Sequence, residues 1–377
     1  MSTLRIHLAF DKFRGSLSQY QLNSTVAALL PATAKVHHYI MADGGEGSLD
    51  ALFELGWEPI AIHAADTLGS GKNTTVAHLP GTNRYAIELA EICGVKWLRN
   101  GRNPRHSTTL GIGQAVEEVR KFGAEEILLF SGGSASNDGG IGVMQGLGIR
   151  IVDKKNRLVE FGLSGLSRAA LIDRDDVDRV RELYSHIKFI MVHDTHASLI
   201  GHANCINLFG EQKGLGKISR YFAQRAMKRW ARLLQSLSPH FDPYASGTGA
   251  AGGVTAPYAA LFNATFVNGF DFFSRETGLA TSLHRDDLLF TGEGRFDKTS
   301  REKKIVMPAV ELAEKAGAQS IVLVGSLARD QREFLMSHRG IKKVFVVEDH
   351  AASHEESLRD ASSIITRSLS LDLEGLR

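Results

Sequence analysis

Short apolar runs that stop abruptly at glycine-rich, acidic turns constrain this chain more than any other feature. Residues 127–130 (Ile-Leu-Leu-Phe) lead directly into Ser131-Gly-Gly-Ser-Ala-Ser-Asn-Asp-Gly-Gly140, and residues 141–147 beyond it can form a helix. A strand, a glycine-rich turn and a helix in succession aim backbone N–H groups at one point, which suits an anion. The glycines, Gly132 and Gly133 among them, permit positive φ and close backbone approach. Ser131, Ser134, Ser136, Asn137 and Asp138 add hydroxyl, amide and carboxylate groups. No Gly-Lys-Ser/Thr closes the turn, so it is not a Walker A loop, and it lacks the dinucleotide spacing. Taken alone, the segment reads equally well as an anion cradle or as a tight structural turn.

The pattern recurs along the chain. Residues 4–10 read as a strand ending at Asp11, residues 36–41 as one before Asp43-Gly-Gly-Glu-Gly47, and residues 187–192 as one before His193-Asp194. Residues 287–291 read as a strand leading into a turn, Gly292-Glu-Gly-Arg-Phe-Asp297. Helical spacing fills the intervals: Ser16 or Ser18 can cap a helix reaching about Leu30, and residues 49–55 and 306–316 are helical. That is the βαβ rhythm of a parallel sheet. Residues 58–65, 73–79 and 85–89 break it as three consecutive strand-like runs, which imply an antiparallel meander. Residues 150–152 and 158–161 suggest a hairpin. Residues 218–237 form a long helix whose apolar face is Ile218, Phe222, Ala226, Trp230, Leu233 and Leu237.

A chain of 377 residues is long for one core. The expected fold is α/β: a Rossmann- or flavodoxin-like doubly wound parallel-sheet domain, residues 1–60 with 287–377, interrupted by a mixed-sheet α/β domain, residues 61–286. The expected active site lies in the cleft between them. With 43% hydrophobic and 23% charged residues the chain is an ordinary globular sequence. Its 44 basic and 42 acidic residues leave a net charge of +2, which argues against a nucleic-acid or membrane surface. Two cysteines, Cys93 and Cys205, lie in apolar context without motif spacing, and with no secretory signal at the N-terminus a cytoplasmic protein is expected.

Acids stand at five strand ends or glycine turns: Asp11, Asp43 with Glu46, Asp138, Asp194, and Glu293 with Asp297. One such acid is an ordinary turn residue. Several beside glycine turns suit Mg²⁺, which takes one or two protein carboxylates together with water and phosphate oxygens. Arg14 and Arg295 adjoin these turns and can make forked contacts with carboxylate or phosphate.

Seven segments in order resemble the bacterial glycerate kinase family of the two-domain type: Asp11-Lys-Phe-Arg-Gly-Ser-Leu-Ser18, Met41-Ala-Asp-Gly-Gly-Glu-Gly-Ser48, Arg105-His-Ser-Thr-Thr-Leu-Gly-Ile-Gly113, the 131–140 loop, Phe209-Gly-Glu-Gln-Lys-Gly214, Gly249-Ala-Ala-Gly-Gly253 and Thr291-Gly-Glu-Gly-Arg-Phe-Asp297. The resemblance implies ATP- and Mg²⁺-dependent phosphorylation of a D-glycerate hydroxyl, giving 2-phosphoglycerate and ADP, and leaves room for a homodimer. It implies Asp194 as proton acceptor with Asp43 second, and Arg14 and Arg295 as cationic clamps. Asp43, Glu46 and Asp194 would serve the metal. Asp11, Ser131, Gly132, Gly133, Ser134, Ser136, Asn137, Asp138, Lys213, Gly292, Glu293 and Asp297 would line the substrate and phosphates. The chain differs from the family pattern at Lys12, at Ala197-Ser198 and at Lys303. Phosphorylation of another small hydroxy acid, or ligand binding without catalysis, are the alternatives.

Overall fold

The structure, a computed structural model, describes residues 4–13, 15–98, 101, 103–301 and 304–373. Arg14 and Lys303, both singled out by the sequence, lie outside the described residues. In chain order the strands are β1 (Arg5–Phe10), β2 (Lys35–His38), β3 (Glu58–Ala65), β4 (Gly71–His78), β5 (Arg84–Glu88), β6 (Glu126–Phe130) and β7 (Ile151–Val152). Then come β8 (Leu171–Ile172), β9 (Lys188–His193), β10 (Thr265–Asn268), β11 (Leu288–Phe296), β12 (Gln319–Leu327) and β13 (Ile341–Val346). Helices fill most of the intervals. They divide between two compact units, Met1–Asp43 with Gly269–Arg377 and Gly44–Asn268.

The first unit holds one parallel sheet in the order β13-β12-β11-β1-β2. Counted within the unit this is the flavodoxin-like order, whose reversal falls between β1 and β11. Alternation buries both faces. Ile6, Leu8, Phe10, Leu288 and Phe290 pack with Leu22, Val26, Ile365 and Leu369, while Val322, Val324 and Val346 pack with Val306, Val310 and Leu335. Ser18 caps the helix Gln19–Ala27 with a reciprocal box to Gln21. The second unit holds a mixed sheet, β10-β9-β6-β5-β4-β3, parallel through β5 and antiparallel across β5-β4-β3. Its core joins Ile87, Leu129 and Met191 to Val116, Trp230 and Tyr258.

The α/β architecture and the meander follow the sequence pattern; four details refine or correct it. The expected boundary at residue 60 falls inside β3, which pairs with β4 from Glu58 onward. The helix Ser48–Glu54 is tied to the second unit through Leu49 N–H, which donates to Glu88 at 3.0 Å. Residues 269–286, expected in the inserted domain, belong to the first unit, where His284 N–H donates to Asp287 Oδ2 at 2.9 Å. The expected hairpin is present but short, an antiparallel bridge between Val152 and Leu158 flanked by Asp153 N–H to Arg157 O at 2.8 Å and Val159 N–H to Ile151 O at 3.0 Å, and β7 pairs with β8 as well.

Two further shifts concern side chains. In the helix Lys217–Leu237 the buried stripe is Ala223, Ala226, Met227, Trp230, Ala231 and Leu234, so Ile218 and Phe222 stand in solvent. Trp230 sets that rotation, since its indole N–H donates to the carbonyl of Gly139 at 2.8 Å. Gly292, Glu293 and Arg295 are not in a turn: they continue β11 in register with β12, and Asp297 follows the strand.

Candidate functional site

In the second unit the carboxyl edge is made by β5, β6 and β9, where Glu88, Phe130 and Val192 lie abreast. Ser131 leaves β6 with both its N–H and its hydroxyl on the carbonyl of Val192, at 2.9 Å each. This places the start of the 131–140 loop beside His193 and Asp194. The loop is then fixed from every side by backbone and buried side chains. Ala135 N–H donates to Cys93 O at 3.0 Å, Gly139 N–H to Gly252 O at 3.0 Å, and Ser134 Oγ to Ala251 O at 2.8 Å.

Glycine is required at two positions here. A Cβ at Gly132 would lie 2.3 Å from Cα of Gly45, and one at Gly252, whose φ is +79°, would lie 2.2 Å from the carbonyl oxygen of Ser136. The two glycine clusters are therefore packed backbone on backbone, which no residue with a side chain permits.

Two charged side chains are buried here, the loop's own Asp138 and Lys213 from residues 209–214. Asp138 is fully buried and accepts from Thr109 through both N–H and hydroxyl at 2.9 Å, and from Gly140 N–H at 3.1 Å. Burial raises its pKa, with the Thr109 bonds opposing. Lys213, also buried, donates to Ser134 Oγ at 3.0 Å and to the Ser136 carbonyl at 2.9 Å, and burial lowers its pKa to about 8. Both residues brace the loop. By contrast, Ser136 Oγ and both side-chain atoms of Asn137 are buried without a protein partner. Such groups carry a desolvation cost until something meets them.

In the first unit, Asp11 N–H donates to the carbonyl of Gly292 at 2.8 Å, so Asp11, just past the end of β1, lies beside Glu293 within β11. Ligands of open α/β sheets bind at this reversal of strand order. Glu293 is buried, its Oε1 has no protein partner, and Thr291 Oγ1 beneath it on the same face has none either. Burial raises the Glu293 pKa to about 8; the charges of Asp11 and Asp297 add to this, while Ser300 and Lys304 oppose it. Arg295 is exposed, and Asp43 is buried after β2.

Among the described residues no group of three His, Cys, Asp or Glu side chains is arranged to hold a metal ion. Of the expected trio, Asp43 belongs to the first unit, while Glu46, which is exposed, and Asp194 belong to the second. The sequence did not single out Glu88 or Thr109. A carboxylate at the end of the buried run Tyr-Ala-Ile was the available signal for Glu88; Thr109 lies in the 105–113 segment, but nothing local pointed to its bonds with Asp138.

Fold and site together define an interrupted α/β protein with polar, glycine-rich turns at the carboxyl edges of its principal sheets. The chain belongs to the Glycerate kinase family, whose pattern it matches over residues 6–370. It is 27% identical over 368 residues to a glycerate kinase of Halalkalibacterium halodurans, spanning 96% of this chain and 95% of the relative. It is 27% identical over 372 residues to the glycerate 2-kinase of Escherichia coli K12, spanning 97% and 96%. A crystal structure of a candidate glycerate kinase 2 from Salmonella typhimurium LT2 superposes with a TM-score of 0.79 at 25% identity, covering 99% of both chains. Among the described residues no helix is long and apolar enough to cross a membrane.

Proposed function

We propose that the protein is an ATP-dependent kinase that transfers the γ-phosphoryl group to a hydroxyl of D-glycerate, giving 2-phosphoglycerate and ADP. The observation that carries this reading, within a family match running from residue 6 to 370, is the 131–140 loop: a rigid backbone cradle with the buried Ser136 hydroxyl and Asn137 amide unmatched by protein. Phosphoryl transfer calls for positioning, relief of negative charge and an acceptor for the hydroxyl proton. Backbone amides of the loop serve the first need, and Ser136 and Asn137 bind phosphate or substrate oxygens. Asp194, beside the loop's first residue, accepts the proton; Asp43 is the second choice. Arg295 and Arg14 supply cationic contacts, and Asp11, Glu293 and Asp297 orient polar groups of the ligands.

Mg²⁺ needs only one or two protein carboxylates when phosphates complete its shell, so the donor set fits an ion that arrives with the nucleotide. Asp43 or Asp194 would hold it, and it would neutralise phosphate charge. Incubation with Mg-ATP and D-glycerate is expected to yield ADP only when glycerate is present, with Asp194→Ala as control, and NMR of the product identifies the phosphorylated position. Absence of turnover above the control sinks the proposal.

One observation favours a second acceptor. Ala197 and Ser198 differ from the family pattern, and the carbonyl of Ala197 accepts from Gly247 and Gly249 N–H at 3.0 Å each, so the change lies against the second glycine cluster. A panel of small hydroxy acids in the same assay separates the two acceptors. Tight ATP or glycerate binding without transfer would instead mark a binding protein.

A further inference from the structure

The turn bearing Glu46 lies against the glycine loop, and its anchor comes from neither segment. Gly44 and Gly47 adopt φ of +87° and +91°, and Gly45 is the backbone that a Cβ at Gly132 would strike at 2.3 Å. The turn has a local brace, Ser48 Oγ donating to the Gly45 carbonyl at 2.7 Å. The helix that follows, Ser48–Glu54, has Gly47 as its N-cap and so no capping side chain of its own. Its leading amides are met from 39 and 41 residues away: Gly47 N–H lies 3.1 Å from both oxygens of Glu88, and Leu49 N–H donates to Oε2 at 3.0 Å.

Glu88 is 1% exposed and pairs across the sheet with Phe130, the residue immediately before the loop. It therefore joins the strand edge that launches the loop to the turn that rests on it. A buried carboxylate is costly to keep unless its bonds return the loss. Burial raises the Glu88 pKa to about 7, and nearby Glu91 and Asp50 push it the same way, while the amides of Leu49 and Gly47 oppose. An apolar residue at the strand end would avoid that cost but could not gather these amides.

We propose that Glu88 is a positioning residue for phosphoryl transfer, its carboxylate holding the Gly44–Gly47 turn, and with it Glu46, in register with Gly132 of the glycine loop. This rests on the kinase reading above. Misplacement of reacting groups by about 1 Å can cost on the order of 100-fold in rate. Glu88→Ala is accordingly expected to lower kcat by about 100-fold with KM for ATP and D-glycerate changed by no more than about threefold. Glu88→Gln keeps an oxygen for Gly47 and Leu49 but sets an amide donor against Gly47 N–H. It is expected to recover kcat to roughly three- to tenfold below the parent, with KM unchanged.

Hydrogen exchange gives a readout independent of activity. The Gly47 and Leu49 amides should lose protection in Glu88→Ala, and Gly47 alone in Glu88→Gln, while Ile87 and Leu129 keep theirs. If Glu88→Ala does not fold, Glu88→Gln decides. Parental kcat with parental Gly47 exchange in that variant overturns the proposal, and so does a defect confined to KM. An inactive parent protein overturns the kinase reading instead, and the exchange pattern still tests whether Glu88 holds the turn.

Discussion

The two carboxyl edges solve opposite problems. In the second unit, the charged side chains at the glycine loop point into the protein: the loop's own Asp138 and Lys213 from a separate segment have internal partners, and the loop is braced by them. In the first unit, the acid at the strand-order reversal keeps an oxygen without a partner, and Glu293 is held close to neutrality by burial. Both edges keep buried polar atoms without a protein partner, Ser136 and Asn137 in one and Thr291 and Glu293 in the other, but only in the second unit is the buried acid fully braced. Glycine and acid at a strand end therefore mean different things in the two places: at Asp138 the acid builds the turn, whereas at Glu293 it awaits a partner.

The largest expected effect separates chemistry from scaffold within the second unit. Asp194→Ala should lower kcat by about 10²- to 10⁴-fold, the usual contribution of a general base, with little change in thermal midpoint. Asp138→Asn should do the reverse in kind. It removes an acceptor from Thr109 or Gly140 and should destabilise the unit by about 1–3 kcal/mol in denaturant unfolding. Equal losses of stability in the two variants would erase the distinction between them.

Next in size is a pair of glycine substitutions, one per unit. Gly252→Ala forces a left-handed residue into the Ser136 carbonyl and should cost about 2–4 kcal/mol. Gly15→Ala has nearly the same φ, +79°, but nothing within 4 Å of its Cβ, so only the conformational part, about 1–2 kcal/mol, should appear. Urea midpoints that fall equally would show that backbone packing of the two glycine clusters contributes nothing.

The pH dependence of stability probes the same contrast through buried ionisable groups. Glu293 has a folded pKa of about 8 against an ordinary value of 4.5, so the folded state binds its proton more tightly than the unfolded chain does. Its contribution is present in full below about pH 4.5 and is lost as pH rises to about 8, with a slope of up to about 1.4 kcal/mol per pH unit. Glu88 acts in the same direction up to about pH 7. Lys213, lowered to about 8, acts oppositely, adding stability as pH rises from about 8 to 10.5. Glu293→Gln should therefore gain on the parent steadily between pH 5 and 8 in unfolding free energy. A difference that stays constant across that range would refute the raised Glu293 pKa.

What could be read from the chain alone follows from how local each determinant is. Period-two and period-3.6 patterns identified both sheets, the meander and most helices, because each depends on neighbours within a few residues. The unit boundary at Asp43–Gly44 was not legible: Glu88 ties the Ser48–Glu54 helix to β5, and that bond spans 39 residues. The orientation of the Lys217–Leu237 helix was missed because Trp230 is positioned by Gly139, 91 residues away. The acids were found as a group, since strand ends are visible in the pattern. That Asp138 is a brace while Glu293 keeps one oxygen without a protein partner was not, since Thr109 meets Asp138 only in the fold.

The smallest expected effect lies at an element that was legible in part, a helix whose cap the sequence left between Ser16 and Ser18 and whose end it placed near Leu30. Ser18 accepts from Gln21 N–H at 3.2 Å, and the Ser18 N–H donates to Gln21 Oε1 at 2.9 Å, the reciprocal box implied by their spacing. Both groups are exposed, so water competes for each bond, and Ser18→Ala should cost about 1 kcal/mol. The helix it caps packs Leu22 and Val26 into the first unit's core on the face that carries Ile6 and Leu8, away from Thr291 and Glu293. Stability should fall while kcat stays within about twofold of the parent, since the cap touches none of the groups that would meet substrate. A larger fall in kcat than in stability would show that the first unit's edge depends on its capping helix, and the contrast between the two edges would need redrawing.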